Sequence, residues 1–148
     1  MKLPLILFLS VCATTPALAS GGLSCEAKGK QATLQVESGV TRGMGSPLFN
    51  FRGSAQIAAK AVAPDLRKIA FSQENVAQYW LDDKELRLIL YREREGSKPH
   101  GYVEITVLAK AAGDEGEYKG TYALTAYDTT GDKEQTHKAE GRVACFVE

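Results

Sequence analysis

Cysteine, histidine and tryptophan are scarce in this 148-residue chain, and their scarcity excludes a good deal of chemistry. Of three cysteines no two form a Cys-x-x-Cys pair, which removes the usual means of activating a thiol. The two histidines, His100 and His137, fall in a turn and near a strand start, read as solvated, and sit in no recognisable catalytic motif. Charge of one sign is also lacking: 18 Lys+Arg stand against 18 Asp+Glu, so nothing electrostatic favours nucleic acid or an anionic membrane. No Asn-x-Ser/Thr acceptor occurs, in keeping with a bacterial periplasm. Outside the N-terminus no long uncharged apolar run exists, and even that one falls short of the roughly 20 residues a membrane-spanning helix needs.

What is present begins with that N-terminus. Lys2, an apolar stretch over residues 3–11 and the small-x-small triplet Ala17-Leu18-Ala19 predict a signal peptide over residues 1–19, cleaved before Ser20. Residues 20–148 are then one exported domain, about 129 residues being ample for one core and too few for two. A rival reading takes Leu9-Ser10-Val11-Cys12 as a lipobox that would lipidate Cys12; the bulky Val11 argues against it. Cleavage leaves Cys25 and Cys145, an even pair that an exported protein most simply joins as a disulfide. Closing a loop of about 120 residues contributes up to ~5 kcal/mol in the chain-entropy view.

Period-two alternation recurs along the chain and predicts an all-β domain. The clearest case is residues 75–94, two apolar, aromatic-rich arms around the turn Asp82-Asp83-Lys84, with Leu86, Leu88 and Leu90 on one face. Residues 25–37 read as one strand interrupted at Gly29, with Ala32, Leu34 and Val36 inward. Residues 48–62 read as a long strand, residues 66–71 as a short one after Ala63-Pro64-Asp65, and residues 102–110, 117–127 and 135–147 as three more. If the last strand pairs antiparallel with the first, Cys145 meets Cys25 and the meander closes. The expectation is therefore a roughly eight-stranded antiparallel up-and-down barrel, with a two-sheet sandwich as the alternative. This layout resembles, in architecture, lipocalins and the small periplasmic barrels that inhibit lysozymes or metalloproteases. The Gly-x-Trp strand start of the lipocalins and the Ser-Gly-rich signature of the inhibitors are missing, so the resemblance carries no site.

Candidate functional residues are few. Tyr79, Trp80 and Tyr91 lie on one hairpin and suggest a shared aromatic surface, drawn from a larger set that includes Tyr102, Tyr118, Tyr122 and Tyr127. The glycine-rich loop over residues 39–47 offers Arg42 and Met44 to a partner, without the helix or Lys-Ser/Thr pair of a phosphate loop. Glu93 and Glu95 share a face, as glycosidase carboxylates do, but Arg92 and Arg94 interleave and favour a solvated ion-pair ladder. The acidic turns Asp82-Asp83 and Asp114-Glu115-Glu117 lack metal-loop spacing. These readings imply no cofactor, no metal and no enzyme: a soluble periplasmic or secreted binding protein for a protein or envelope polymer, an inhibitor among the options. The alternative is a carrier of a small apolar ligand inside the barrel.

Overall fold

The computed structural model describes residues 20–41, 43, 45 and 47–148. Residues 1–19, over which the signal peptide is expected and which include Cys12, and the loop residues Arg42 and Met44 lie outside the described residues. In chain order the elements are β1 (Ser20–Lys28), β2 (Ala32–Thr41), β3 (Leu48–Ile57), a short helix α1 (Pro64–Arg67) and β4 (Lys68–Ser72). A 3-10 turn (Gln73–Asn75) then leads to β5 (Val76–Leu81), β6 (Glu85–Glu93), β7 (Gly101–Ala111), β8 (Glu117–Asp128) and β9 (Gln135–Val147). All neighbours are antiparallel and follow the order β4-β3-β2-β1-β9-β8-β7-β6-β5, a nearly closed barrel.

The expected closure of last strand on first is what joins the two halves. Cys25 lies directly opposite Cys145, their Cα atoms 4.0 Å apart, and the two form a disulfide on the inner face. The strand count differs by one. Residues 25–37 are two strands, because Gly29-Lys30-Gln31 turns the chain back: the Gly29 N–H donates to the Ala32 carbonyl at 3.0 Å. A side chain at Gly29 would press on that same carbonyl and on Tyr122 Oη, so the turn accepts only glycine.

Alternation places the core. Leu86, Leu88 and Leu90 are fully buried, as are Val107 and Ile105 opposite Leu88 and Leu90 on β7, and Val103 beyond them opposite Arg92. Tyr122 on β8 crosses the interior, its ring against Gly141 and its hydroxyl donating to the Ala32 carbonyl at 3.1 Å. The strand expected over residues 48–62 stops at Ile57, and the one expected over residues 66–71 begins as α1, where Pro64 fits the first helical turn and Leu66 buries itself against the core.

The barrel is interrupted between β4 and β5, the two ends of the strand order. β4 pairs with residues 52–56 of β3, whereas β5 pairs with residues 86–90 of β6, so the chain changes partner at the 3-10 turn. The corner is fixed by the Ser72 N–H, which donates to Asn75 Oδ1 at 2.8 Å. Below it Arg92 Nη1 donates to the Ala70 carbonyl, covering the edge of β4.

Candidate functional site

The foot of the barrel is organised by an arginine that the sequence suggested was solvated. Arg92 and Arg94 continue the parity of Leu86, Leu88 and Leu90, so they belong to the inner face. The Arg94 side chain is only 4% exposed. Its Nε donates to Asp65 Oδ2 at 2.7 Å, and its Nη1 to Asp128 Oδ1 at 2.9 Å, the Pro99 carbonyl at 2.8 Å and Thr130 Oγ1 at 3.0 Å. One guanidinium thereby ties α1, the β6–β7 connection and the β8–β9 connection together. The hydrogen bond from Arg94 holds the Asp128 carboxyl down at about 2, and it lowers Asp65 despite the opposing effect of burial. Arg92 pairs with Glu95 at 2.6 Å, so the solvated ladder expected here holds only in part.

At the opposite end both acidic turns line one open cleft of about 790 Å³. Asp82, Asp83, Asp114, Glu115 and Glu117 meet there beside Tyr118, whose hydroxyl donates to the Asp82 carbonyl at 2.7 Å. Asp82 is committed to its own hairpin: the N–H groups of Lys84 and Glu85 each donate to its Oδ1 at 2.8 Å, which holds its carboxyl below the ordinary range. Among the described residues no three His, Cys, Asp or Glu side chains are placed to hold a metal ion.

The aromatic surface expected on the hairpin divides. Tyr79 pairs with Leu88 and points inward, packing on the core, where burial pushes its hydroxyl up to about 12. Trp80 pairs with Arg87 and points outward, 56% exposed. Adjacent residues of a strand face opposite ways, so the two aromatic rings lie on different faces, although both residues border the outer groove. Tyr91 is on the outer face but farther along, tilted against Tyr102 with ring centroids 5.3 Å apart; Tyr102 stacks on Tyr127 at 5.3 Å, and His100 lies against Tyr102 and Tyr127. The Tyr91 hydroxyl donates to Glu93, which engages that carboxylate within the strand rather than toward a substrate. Tyr118 and Tyr122 belong to the core. His137, read as solvated, is half-buried.

The neighbours of Trp80 are outward residues of β6 and β7 that the sequence reading does not single out. Leu108 on β7 is 51% exposed, and with Ile89, Gln78, Arg87 and Thr106 it forms with Trp80 an outer groove of about 670 Å³. The cross-strand row Trp80–Arg87–Leu108 was available as a parity argument, since Leu108 is the apolar residue out of phase with Val103, Ile105, Val107 and Ala109. Compared with protein-family models, with curated proteins and with solved structures, the chain matches none of them.

Proposed function

We propose that this is a non-enzymatic, exported binding protein whose outer sheet face over β5–β7 meets a macromolecular partner, a protein or an envelope polymer, with inhibition of a partner enzyme as one outcome. The observation that carries the reading is the exposure of Trp80 beside Leu108 on a rigid, disulfide-stapled sheet. Large apolar side chains are rarely left together on a surface without a use, and a tryptophan at the centre of a patch is the commonest anchor of an interface. A disulfide fits an oxidising compartment outside the cytosol.

The filled interior supports an exterior site over a ligand carrier. Leu34, Leu86, Leu88, Leu90, Ile105 and Tyr122 occupy the inward positions, and the clefts of about 790 and 670 Å³ lie at one mouth and on the outer face. A carrier needs an enclosed volume of a few hundred Å³, roughly, where these side chains pack. The test is capture from periplasmic extract on the immobilised protein, together with inhibition assays against lysozymes and metalloproteases. Retention of a macromolecule or inhibition is expected; neither occurring would contradict the reading.

A further inference from the structure

The interruption in the barrel leaves an edge whose backbone is free. Asp82 and Glu85 are a hydrogen-bonded pair, the Asp82 N–H donating to the Glu85 carbonyl at 3.1 Å. Alternation along an antiparallel ladder then makes Trp80–Arg87 and Gln78–Ile89 hydrogen-bonded pairs, and Leu81–Leu86 and Tyr79–Leu88 pairs that are not. The N–H and C=O groups of Tyr79 and Leu81 therefore point away from β6, into the seam. Across the seam, residues 48–51 of β3 have no strand partner on the side away from β2, because the β4 ladder begins at Arg52. Both edges run to the same mouth, where Val40, the partner of Leu48, and Leu81 line one cleft.

Proteins usually blunt such edges with charge, proline or cover. β4 follows that rule, with Lys68 on it and Arg92 bonded to its Ala70 carbonyl. On β5 the ladder shifts register between Val76 and Gln78, but from there Gln78-Tyr79-Trp80-Leu81 runs regularly with no charge and no proline, and Trp80 stands exposed beside its free edge. We propose that β5 is a strand-addition site, taking an extended segment of a partner protein that carries basic residues at both ends of the paired stretch. The proposal rests on the binding reading above and names its partner class.

Two features select this occupant. Alternating backbone donors and acceptors are matched by another polypeptide backbone, not by a glycan or a lipid. Charge then decides between a foreign strand and a second copy. The stretch flanking and including β5, residues 73–84, holds exposed Glu74, Asp82 and Asp83 against the single cation Lys84. A second copy would bring the same acidic excess to both ends, whereas Lys or Arg on the incoming strand would complement it.

The test uses the full mature protein and a synthetic peptide of alternating Val and Thr flanked by lysines. Three controls accompany it: the same peptide flanked by glutamates, the lysine peptide N-methylated at alternate amides, and a Glu74→Lys/Asp83→Lys variant of the protein. Trp80, the chain's single tryptophan, reports binding by fluorescence, and amide exchange reports on Tyr79 and Leu81. The lysine peptide is expected to slow exchange at both amides and to shift Trp80 emission. N-methylation should abolish both effects, the glutamate peptide should bind roughly five- to tenfold more weakly, and the double variant should reverse the preference. Unchanged exchange at Tyr79 and Leu81 under saturating lysine peptide would overturn the proposal. So would protection of the same amides by concentration-dependent dimerisation without peptide. A macromolecule captured from extract while these amides exchange unchanged would overturn strand addition and leave the binding reading intact.

Discussion

Arg94 donates to Asp128 at 2.9 Å beneath the barrel, with Asp65 completing the clamp at 2.7 Å. The arginine side chain is buried at 4% exposure, Asp128 is largely covered at 17%, and Asp65 closes the clamp from its solvent side at 32%. Breaking a buried pair strands the remaining charge, a cost that exceeds what the pair itself contributes. Arg94→Met is expected to destabilise the fold by about 2–4 kcal/mol in urea unfolding. Arg94→Lys should recover little of that, since an ammonium cannot present the planar fork that reaches Asp65 and Asp128 together.

The same clamp sets an acid limit. The Asp128 carboxyl, lowered from 3.8 to about 2, binds its proton more weakly folded than unfolded. Its contribution is therefore fully present above the ordinary carboxylate value, about 3.9, and is lost as pH falls through that value toward 2. Asp65 is shifted in the same direction. Urea midpoints measured from pH 6 to pH 2 should fall steeply below about 4, and Asp128→Asn should flatten that slope while lowering stability at neutral pH. An unchanged slope in the variant would contradict the assignment.

Two buried tyrosine hydroxyls should behave differently. Tyr122 Oη donates to the Ala32 carbonyl, whereas Tyr79 Oη has no hydrogen-bond partner among the described residues. Tyr122→Phe should cost about 1 kcal/mol, and Tyr79→Phe should be neutral or stabilising, by thermal or urea unfolding of the two variants side by side.

The disulfide joins the barrel's two halves across β1 and β9, and both sulfur-bearing residues are buried. A reductant should leave it intact under native conditions and cleave it in urea. Replacing both cysteines by serine should lower stability by about 2–4 kcal/mol, read as a shift in the urea midpoint.

Much of this was legible in the residue pattern. Leu86, Leu88, Leu90 and the inward residues of β7, β8 and β9 fall where alternation puts them, and Cys25 meets Cys145 because the last strand pairs with the first. The turn at Gly29 left a visible sign, a change of inward parity from Cys25 and Ala27 to Ala32, Leu34 and Val36. The chain was read as continuous because three polar or small residues suffice to reverse it. Arg94 was misplaced for the opposite reason: its parity was correct for the core, but its charge argued for water, and only the fold reveals Asp65 and Asp128 converging from 29 and 34 residues away. The site was half legible. Trp80 could be singled out, but its partners Ile89 and Leu108 come from register, and Tyr79 was grouped with it against the alternation of the strand.

The central claim is that the outer face around Trp80 binds a macromolecule. Its most direct measurement compares capture from periplasmic extract on the wild-type protein and on a Trp80→Ala/Leu108→Ser variant, with unfolding curves recorded for both. Both side chains are exposed, so the variant's stability should stay within about 0.5 kcal/mol of wild type. The account predicts a macromolecule retained by the wild type and lost from the variant; equal retention by the two, or retention by neither, would contradict it.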